Sequence, residues 1–239
     1  MNLRKYSIKE LIKKYPVNKI VRSIDNTILK PNATFNDIKR VCELSIKYNF
    51  IGCCIPPIYV RTASNILDGT NVKLITVCGF PLGYNTTATK IKEVEEAFVN
   101  GANEVDVVAN ISFIKSGDYQ RAFSEIEKLV DVSKAYGGII KIIVETSLLT
   151  NIELINAVKI VEKSGADYIK TNTGFGPRGV SIHDILLIRE TTKLLKIKAA
   201  GGIRHISEVL LYLDLGVDRI GTSAGVDIIK EYNEFLNKV

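Results

Sequence analysis

Three times in this 239-residue chain a helical pattern stops on a glycine and runs at once into a short apolar strand. The joins read Gly101-Ala102-Asn103-Glu104-Val105-Asp106, Gly165-Ala166-Asp167-Tyr168-Ile169-Lys170 and Gly216-Val217-Asp218-Arg219-Ile220-Gly221. A glycine there ends a helix in the left-handed conformation without a Cβ penalty. Asn49, the side chain that most readily replaces glycine at such a place, starts a fourth copy that ends at Cys54. A repeated join of this kind admits few folds, because each copy belongs to a unit in which a helix must cover one strand before the next parallel strand begins.

Short apolar runs bounded by turn residues predict eight strands, near Val21–Asp25, Phe50–Ile55, Lys73–Cys78, Glu104–Val108, Ile139–Glu145, Asp167–Lys170, Ile197–Ala200 and Arg219–Gly221. Helical patterns lie between them at Thr34–Tyr48, Thr89–Asn100, Asp118–Tyr136, Thr150–Ser164, Ser181–Lys193 and Ser207–Leu215. Thr34 stands three residues before Asp37 and Ser181 three before Asp184, while Ser207 directly precedes Glu208, so acids fall near helix starts. Eightfold alternation predicts an α/β chain forming a single (β/α)8 TIM barrel, one domain over residues 1–239. Residues 1–18 are basic and amphipathic, with Ile8, Leu11 and Ile12 at helical spacing, and are expected to add an N-terminal helix covering one end.

The four joins fall on strands two, four, six and eight. In such a barrel one interior layer draws its side chains from alternate strands, so Cys54, Asp106, Lys170 and Gly221 are predicted at one level near the carboxyl ends, where barrels carry their chemistry. The other strands supply Asp25, Glu145 and Lys198 at comparable positions. Strands six and seven are neighbours, which brings Lys170 and Lys198 together; burial and like charge both lower a lysine pKa. A neutral amine can attack a carbonyl carbon, the requirement for Schiff-base chemistry. Asp106 stands at the right level to shuttle protons through a water, or to pair with a lysine; the two roles are compatible.

After strand six come Gly174, Gly176 and Gly179 with Pro177, a backbone able to approach a ligand. Gly201-Gly202-Ile203-Arg204 after strand seven and Gly221-Thr222-Ser223-Ala224-Gly225 after strand eight occupy the places where barrels bind phosphate. His183 and His205 read as surface or capping residues. Cys54 reads as pocket lining, since no general base stands near it in sequence. Thr86, Thr87 and Thr89 either help to seal the site or cap the next helix.

The net charge of +6 is spread among acids instead of gathered in a block, which favours attraction of a small phosphorylated substrate and disfavours a nucleic-acid partner. Cys42, Cys53, Cys54 and Cys78 show no zinc spacing and no disulfide-scaffold density, so no metal site is expected and a reducing cytoplasm is the expected home; no cofactor is expected either. No stretch approaches the ~20 apolar residues of a membrane-spanning helix.

Together these residues resemble the deoxyribose-phosphate aldolase family from about Ile24 to Asp227. The matching stretches include Asp25 to Pro31, Val77 to Gly83, Gly101 to Asn110, Ile143 to Thr146, Lys170 to Pro177, Lys198 to Arg204 and Gly221 to Gly225. The resemblance implies a metal-free class I aldolase that cleaves 2-deoxy-D-ribose 5-phosphate to D-glyceraldehyde 3-phosphate and acetaldehyde. It implies that Lys170 forms the Schiff base, Lys198 depresses its pKa and Asp106 relays protons with support from Asp25. It further implies that Cys54 and Thr173 line the pocket, and that Gly174, Gly201, Gly202, Gly221 and Ser223 hold the phosphate, with Arg204 in the same segment. A homodimer or homotetramer is the implied assembly. The chain departs from the family pattern at Asn26, Pro56 and Ala224, and its tail, with Tyr232, has no terminal tyrosine to transfer protons. Ala224 removes one hydroxyl from the phosphate loop and is expected to leave its amide available. The competing readings are a Schiff-base aldolase for another phosphorylated aldehyde or sugar and a non-catalytic phosphosugar-binding barrel.

Overall fold

The structure is a computed structural model and describes residues 8–236. Eight parallel strands close a barrel in sequence order, β1 (Ile24–Thr27), β2 (Gly52–Ile55), β3 (Lys73–Cys78), β4 (Glu104–Val108), β5 (Ile139–Ile143), β6 (Tyr168–Lys170), β7 (Lys196–Ala200) and β8 (Arg219–Thr222). Around them run α1 (Ile8–Lys14), α2 (Val17–Val21), α3 (Phe35–Lys47), α4 (Val60–Leu67), α5 (Thr87–Val99), α6 (Ile111–Lys115), α7 (Tyr119–Ala135), α8 (Asn151–Lys163), α9 (Ile182–Thr191), α10 (Ile206–Asp214) and α11 (Gly225–Leu236). No described helix is long and apolar enough to cross a membrane.

The repeated joins have the conformation their residues suggest: φ is 102° at Gly101, 76° at Gly165 and 88° at Gly216, and Asn49 adopts 53°. Helix starts follow the capping signals at Thr34, Thr150 and Ser181, each accepting from the amide three residues on. Elsewhere boundaries move. Pro16 precedes a short helix over Val17–Val21, so β1 begins at Ile24 instead of Val21. Thr86, not Thr89, caps α5. The carboxylate of Glu208 accepts from the amides of Arg204 and His205 at 2.8 and 2.9 Å, so α10 starts at Ile206, one residue before the predicted Ser207. The helices α2, α4, α6 and α11 were outside the predicted set, each too short or too near a loop motif to stand out by periodicity.

Of the predicted N-terminal helix, residues 1–7 lie outside the described residues. The remainder, α1, buries Leu11 and Ile12 and packs on α10, where Lys14 pairs with Asp214.

Strand register, with the one-residue stagger per strand of an eight-stranded barrel, sorts the inward residues into layers. The lowest of three successive layers holds Gly52, Glu104, Tyr168 and Arg219. Above it come Asp25, Ile75, Lys141 and Lys198, and then Cys54, Asp106, Lys170 and Gly221, the foursome the repeat predicts. Apolar residues fill the space between strands and helices; the barrel interior is mostly charged.

Gly52 is what lets that interior close. Its φ is ordinary, and the requirement is space: a Cβ there would sit 2.5 Å from Asp25 Oδ1, 2.5 Å from Ile75 Cδ1 and 3.1 Å from Arg219 Nη2. Gly52→Ala is expected to destabilise the protein by about 3 kcal/mol, through overpacking and a displaced ion pair. Urea unfolding monitored by circular dichroism measures this; an unchanged midpoint would show that the interior yields.

Candidate active site

Six interior side chains form a closed ring of alternating charge. Arg219 binds Asp25 through Nε at 3.0 Å and Glu104 through Nη2 at 3.1 Å. Glu104 meets Lys141 at 2.5 Å, and Lys141 Nζ also lies 3.0 Å from Asp106 Oδ1. Lys198 Nζ is 2.6 Å from Asp106 Oδ2 and 2.7 Å from Asp25 Oδ2, the latter an ion pair that is not aligned as a hydrogen bond. All six are buried. Three carboxylates and three cations make the ring neutral. Lys170 stands outside the ring, hung on Asp106 Oδ2 at 2.8 Å, with no carboxylate of its own among the described residues.

That count decides which amine gives up its proton most readily. Burial pushes the Lys170 amine below the ordinary lysine value, and the Lys198 ammonium adds to this against the opposing pull of Asp106. Burial acts on Lys198 too, but Asp106 and Asp25 outweigh it and hold that ammonium well above the ordinary value. For Asp106 burial opposes ionisation, yet Lys141, Lys170 and Lys198 together keep the carboxyl well below the usual range. Asp25 is lowered in the same way, with burial outweighed by Lys198 and Arg219.

Above this layer opens a pocket of about 250 Å³. Of the predicted residues, Lys170, Thr173, Gly174, Gly201, Gly202, Arg204, Gly221 and Ser223 line it. Asp106 stands level with Lys170 and Lys198 a layer below it. Asp25 and Cys54 are fully buried and do not line it; the Cys54 thiol packs with Ile75, Val77, Leu29 and Phe80, and burial pushes it up to about 11. Lys30 from the β1 loop and Phe175 from the β6 loop line the pocket without having been predicted.

The anion end is made of backbone. Among the described residues the amides of Gly174, Gly202 and Ser223 have no protein acceptor. The amide of Ala224, expected to be free, instead donates to Thr222 Oγ1 at 2.9 Å, which draws the start of α11 toward β8.

Glu145 does not point into the barrel as expected. It leaves β5 with φ 51°, and its carboxylate accepts from the Thr173 amide at 2.9 Å, Thr173 Oγ1 at 2.6 Å and Asn172 Nδ2 at 2.8 Å. It thereby sets the course of the loop that follows Lys170. Asn26 turns outward to Ser45, and Pro56 precedes a single helical turn over Pro57–Tyr59, so neither departure faces the pocket. Tyr232 is buried, with its hydroxyl donating to the Tyr15 carbonyl at 3.2 Å. His183 and His205 are exposed, beside Asn151 and Glu231.

Lys141, Glu104 and Arg219 are the members that sequence reasoning passed over. A signal existed: Glu104 and Arg219 occupy the same place in two copies of the repeated join, three residues after the glycine, and Lys141 interrupts the apolar run Ile139 to Ile143.

Residues 20–211 match the DeoC/LacD family of aldolases. A relative named deoxyribose-phosphate aldolase from Thermoanaerobacter sp. strain X514 is 45% identical over 217 residues, covering 90% of this chain and 97% of the relative. One of the same name from Clostridioides difficile strain 630 is 45% identical over 213 residues, covering 88% and 95%. The solved structure of deoxyribose phosphate aldolase from Aeropyrum pernix, a tetramer described as unique, superposes with a TM-score of 0.88 at 28% identity, covering 96% of this chain and 100% of the other.

Proposed function

Because the chain belongs to the DeoC/LacD family of aldolases, we propose that its pocket cleaves 2-deoxy-D-ribose 5-phosphate to D-glyceraldehyde 3-phosphate and acetaldehyde, and runs the aldol addition in reverse. The observation that carries the chemistry is the neutral ring with one surplus lysine at the pocket floor.

Lys170, as a neutral amine, attacks C1 of the open-chain sugar, and loss of water leaves an iminium. Asp106, acting through a water, takes the proton of the C3 hydroxyl. The C2–C3 bond then breaks, its electrons pass into the iminium as an enamine, and glyceraldehyde 3-phosphate departs. Protonation of the enamine carbon and hydrolysis release acetaldehyde and restore the amine. Lys198 stays charged throughout and disfavours a second cation beside it, and Asp25 holds Lys198 in place. No step calls on a cofactor. The phosphate is held by the amides of Gly174, Gly202 and Ser223 at the start of α11, with Arg204 and Lys30 supplying charge. Thr173 and Gly201 shape the walls, and Gly221 leaves room for the Lys198 stem: a Cβ there would come within 3.1 Å of Lys198 Cε.

The proposal takes the whole chain as one catalytic domain working in the cytoplasm as a homodimer or homotetramer; the tetramer of the Aeropyrum pernix relative supports the last point. Release of glyceraldehyde 3-phosphate from 2-deoxyribose 5-phosphate is the direct test. Equal turnover of ribose 5-phosphate would sink the substrate assignment.

A second prediction concerns pH. Below the lowered pKa of Lys170 the amine is protonated and has no lone pair, so kcat/KM for 2-deoxyribose falls tenfold per unit as the medium becomes more acid. Asp106 ionises at much lower pH and Lys198 loses its proton at much higher pH, so a single acid limb is expected, below the ordinary lysine range. The unphosphorylated sugar keeps the substrate's own phosphate out of the profile.

A further inference from the structure

We infer that Glu104, Lys141 and Arg219, on the ring side away from the pocket, are positioning residues that fix the net charge beneath the Lys170 amine and thereby its readiness to react. The inference rests on Lys170 being the reacting amine.

The geometry is a circuit. From Asp106 one arm passes through Lys141 to Glu104, and the other through Lys198 and Asp25 to Arg219; the arms close where Arg219 meets Glu104 at 3.1 Å. Glu104 and Arg219 lie two layers' depth below the pocket wall and touch none of it. Nothing about covering apolar surface requires four buried cations and three buried carboxylates, and ion pairs of this kind are commonly replaceable by packed apolar side chains without loss of stability. What the ring supplies is a defined charge. As long as it is closed, the field at Lys170 is that of a neutral assembly in which the nearest carboxylate, Asp106, is already shared with Lys141 and Lys198.

The other groups facing this space do not alter the count. From β2 comes the Cys54 thiol, neutral because burial pushes it up to about 11. Ile75 and Val77 face in from β3, whose first residue, Lys73, lines a surface recess with Glu104 and is exposed to solvent. From β6 comes Tyr168, whose ring has Lys141 Nζ 5.8 Å from its centroid and Lys196, from the start of β7, 5.4 Å from it; Lys196 is exposed to solvent.

Removing one member therefore shifts Lys170 in a direction set only by sign. Glu104→Gln leaves the remaining ring at +1 and disfavours a protonated Lys170; Arg219→Met leaves it at −1 and favours one. A unit charge at this depth, in an effective dielectric of about 20, is worth roughly tenfold in a proton equilibrium.

The test is the acid limb of kcat/KM for 2-deoxyribose in wild type, Glu104→Gln, Arg219→Met, the charge-conserving Arg219→Lys and the double variant Glu104→Gln with Arg219→Met, each first checked for fold by circular dichroism. At one pH on the limb, Glu104→Gln is expected to be about tenfold faster relative to its own plateau than wild type, and Arg219→Met about tenfold slower. Arg219→Lys and the charge-balanced double variant should lie on the wild-type limb. Either single variant suffices if the other does not fold, because each is read against the double variant. Displacement of both singles in the same direction, or coincidence of a folded single with the double variant, overturns the inference. Borohydride trapping of acetaldehyde on wild type keeps the two levels apart. Absence of an adduct on Lys170 defeats the aldolase assignment itself, whereas a Lys170 adduct with unmoved limbs defeats only the role given to the ring.

Discussion

Lys170→Ala is expected to lower turnover of 2-deoxyribose 5-phosphate by at least about 10⁴-fold, roughly 5 kcal/mol or more of transition-state stabilisation, while leaving a folded barrel. The loss is large because no other group at the pocket floor can take over. Lys198 is pinned between Asp106 and Asp25 and held charged, and Lys141, in the same layer below Lys170, is held between Glu104 and Asp106. Neither offers a lone pair to a carbonyl carbon. Stability should barely change, since Lys170 stands outside the ring, and its removal leaves every carboxylate with the partners it has in the ring. The variant should also fail to retain acetaldehyde after borohydride reduction, as read by intact mass and peptide mapping. Retention of the adduct, or of more than a tenth of the activity, would move the nucleophile elsewhere.

Asp106→Asn should be costly in two separate ways. Among the described residues Asp106 is the one acceptor common to Lys141, Lys170 and Lys198. Converting it to an amide opens the ring and leaves the assembly with two carboxylates for three permanent cations. Breaking a buried pair from one side typically costs about 3–5 kcal/mol, which for a chain of this size corresponds to a fall of roughly 10 °C in melting temperature. Cleavage should fall by about 10²–10⁴-fold for want of the proton relay. Imine formation should survive, because removing a nearby anion leaves Lys170 still more readily neutral. The diagnostic result is therefore a variant that traps acetaldehyde but does not release glyceraldehyde 3-phosphate. Loss of trapping and cleavage together would mean that Asp106 serves to hold Lys170 in place and not to move protons.

The repeated Gly-to-strand join was the most legible feature of the chain. It specifies both the backbone conformation and the number of residues from helix end to interior layer, so Cys54, Asp106, Lys170 and Gly221 could be assigned a common level from spacing alone. Boundaries such as the start of β1 at Ile24 or of α10 at Ile206 were less legible. They depend on which of several adjacent capping groups a neighbouring amide reaches, and strand and helix patterns overlap over four or five residues. Glu145 looked like an interior residue because it extends an apolar run, but the strand itself ends two residues earlier, at Ile143, and the chain turns left-handed at Glu145.

The sequence by itself determined an eightfold alternation, a shared level for Cys54, Asp106, Lys170 and Gly221 and a lysine pair on adjacent strands, because local conformation and residue counts are properties of the chain. Only the tertiary structure decided that the interior charges close into a neutral ring, that Lys170 is left outside it, and that Cys54 is buried among Ile75, Val77, Leu29 and Phe80. Those outcomes depend on which side chains meet across a closed barrel from strands as far apart in sequence as β1 and β8. A lysine pKa responds to the whole sum of charges around it, not to its own neighbours in the chain.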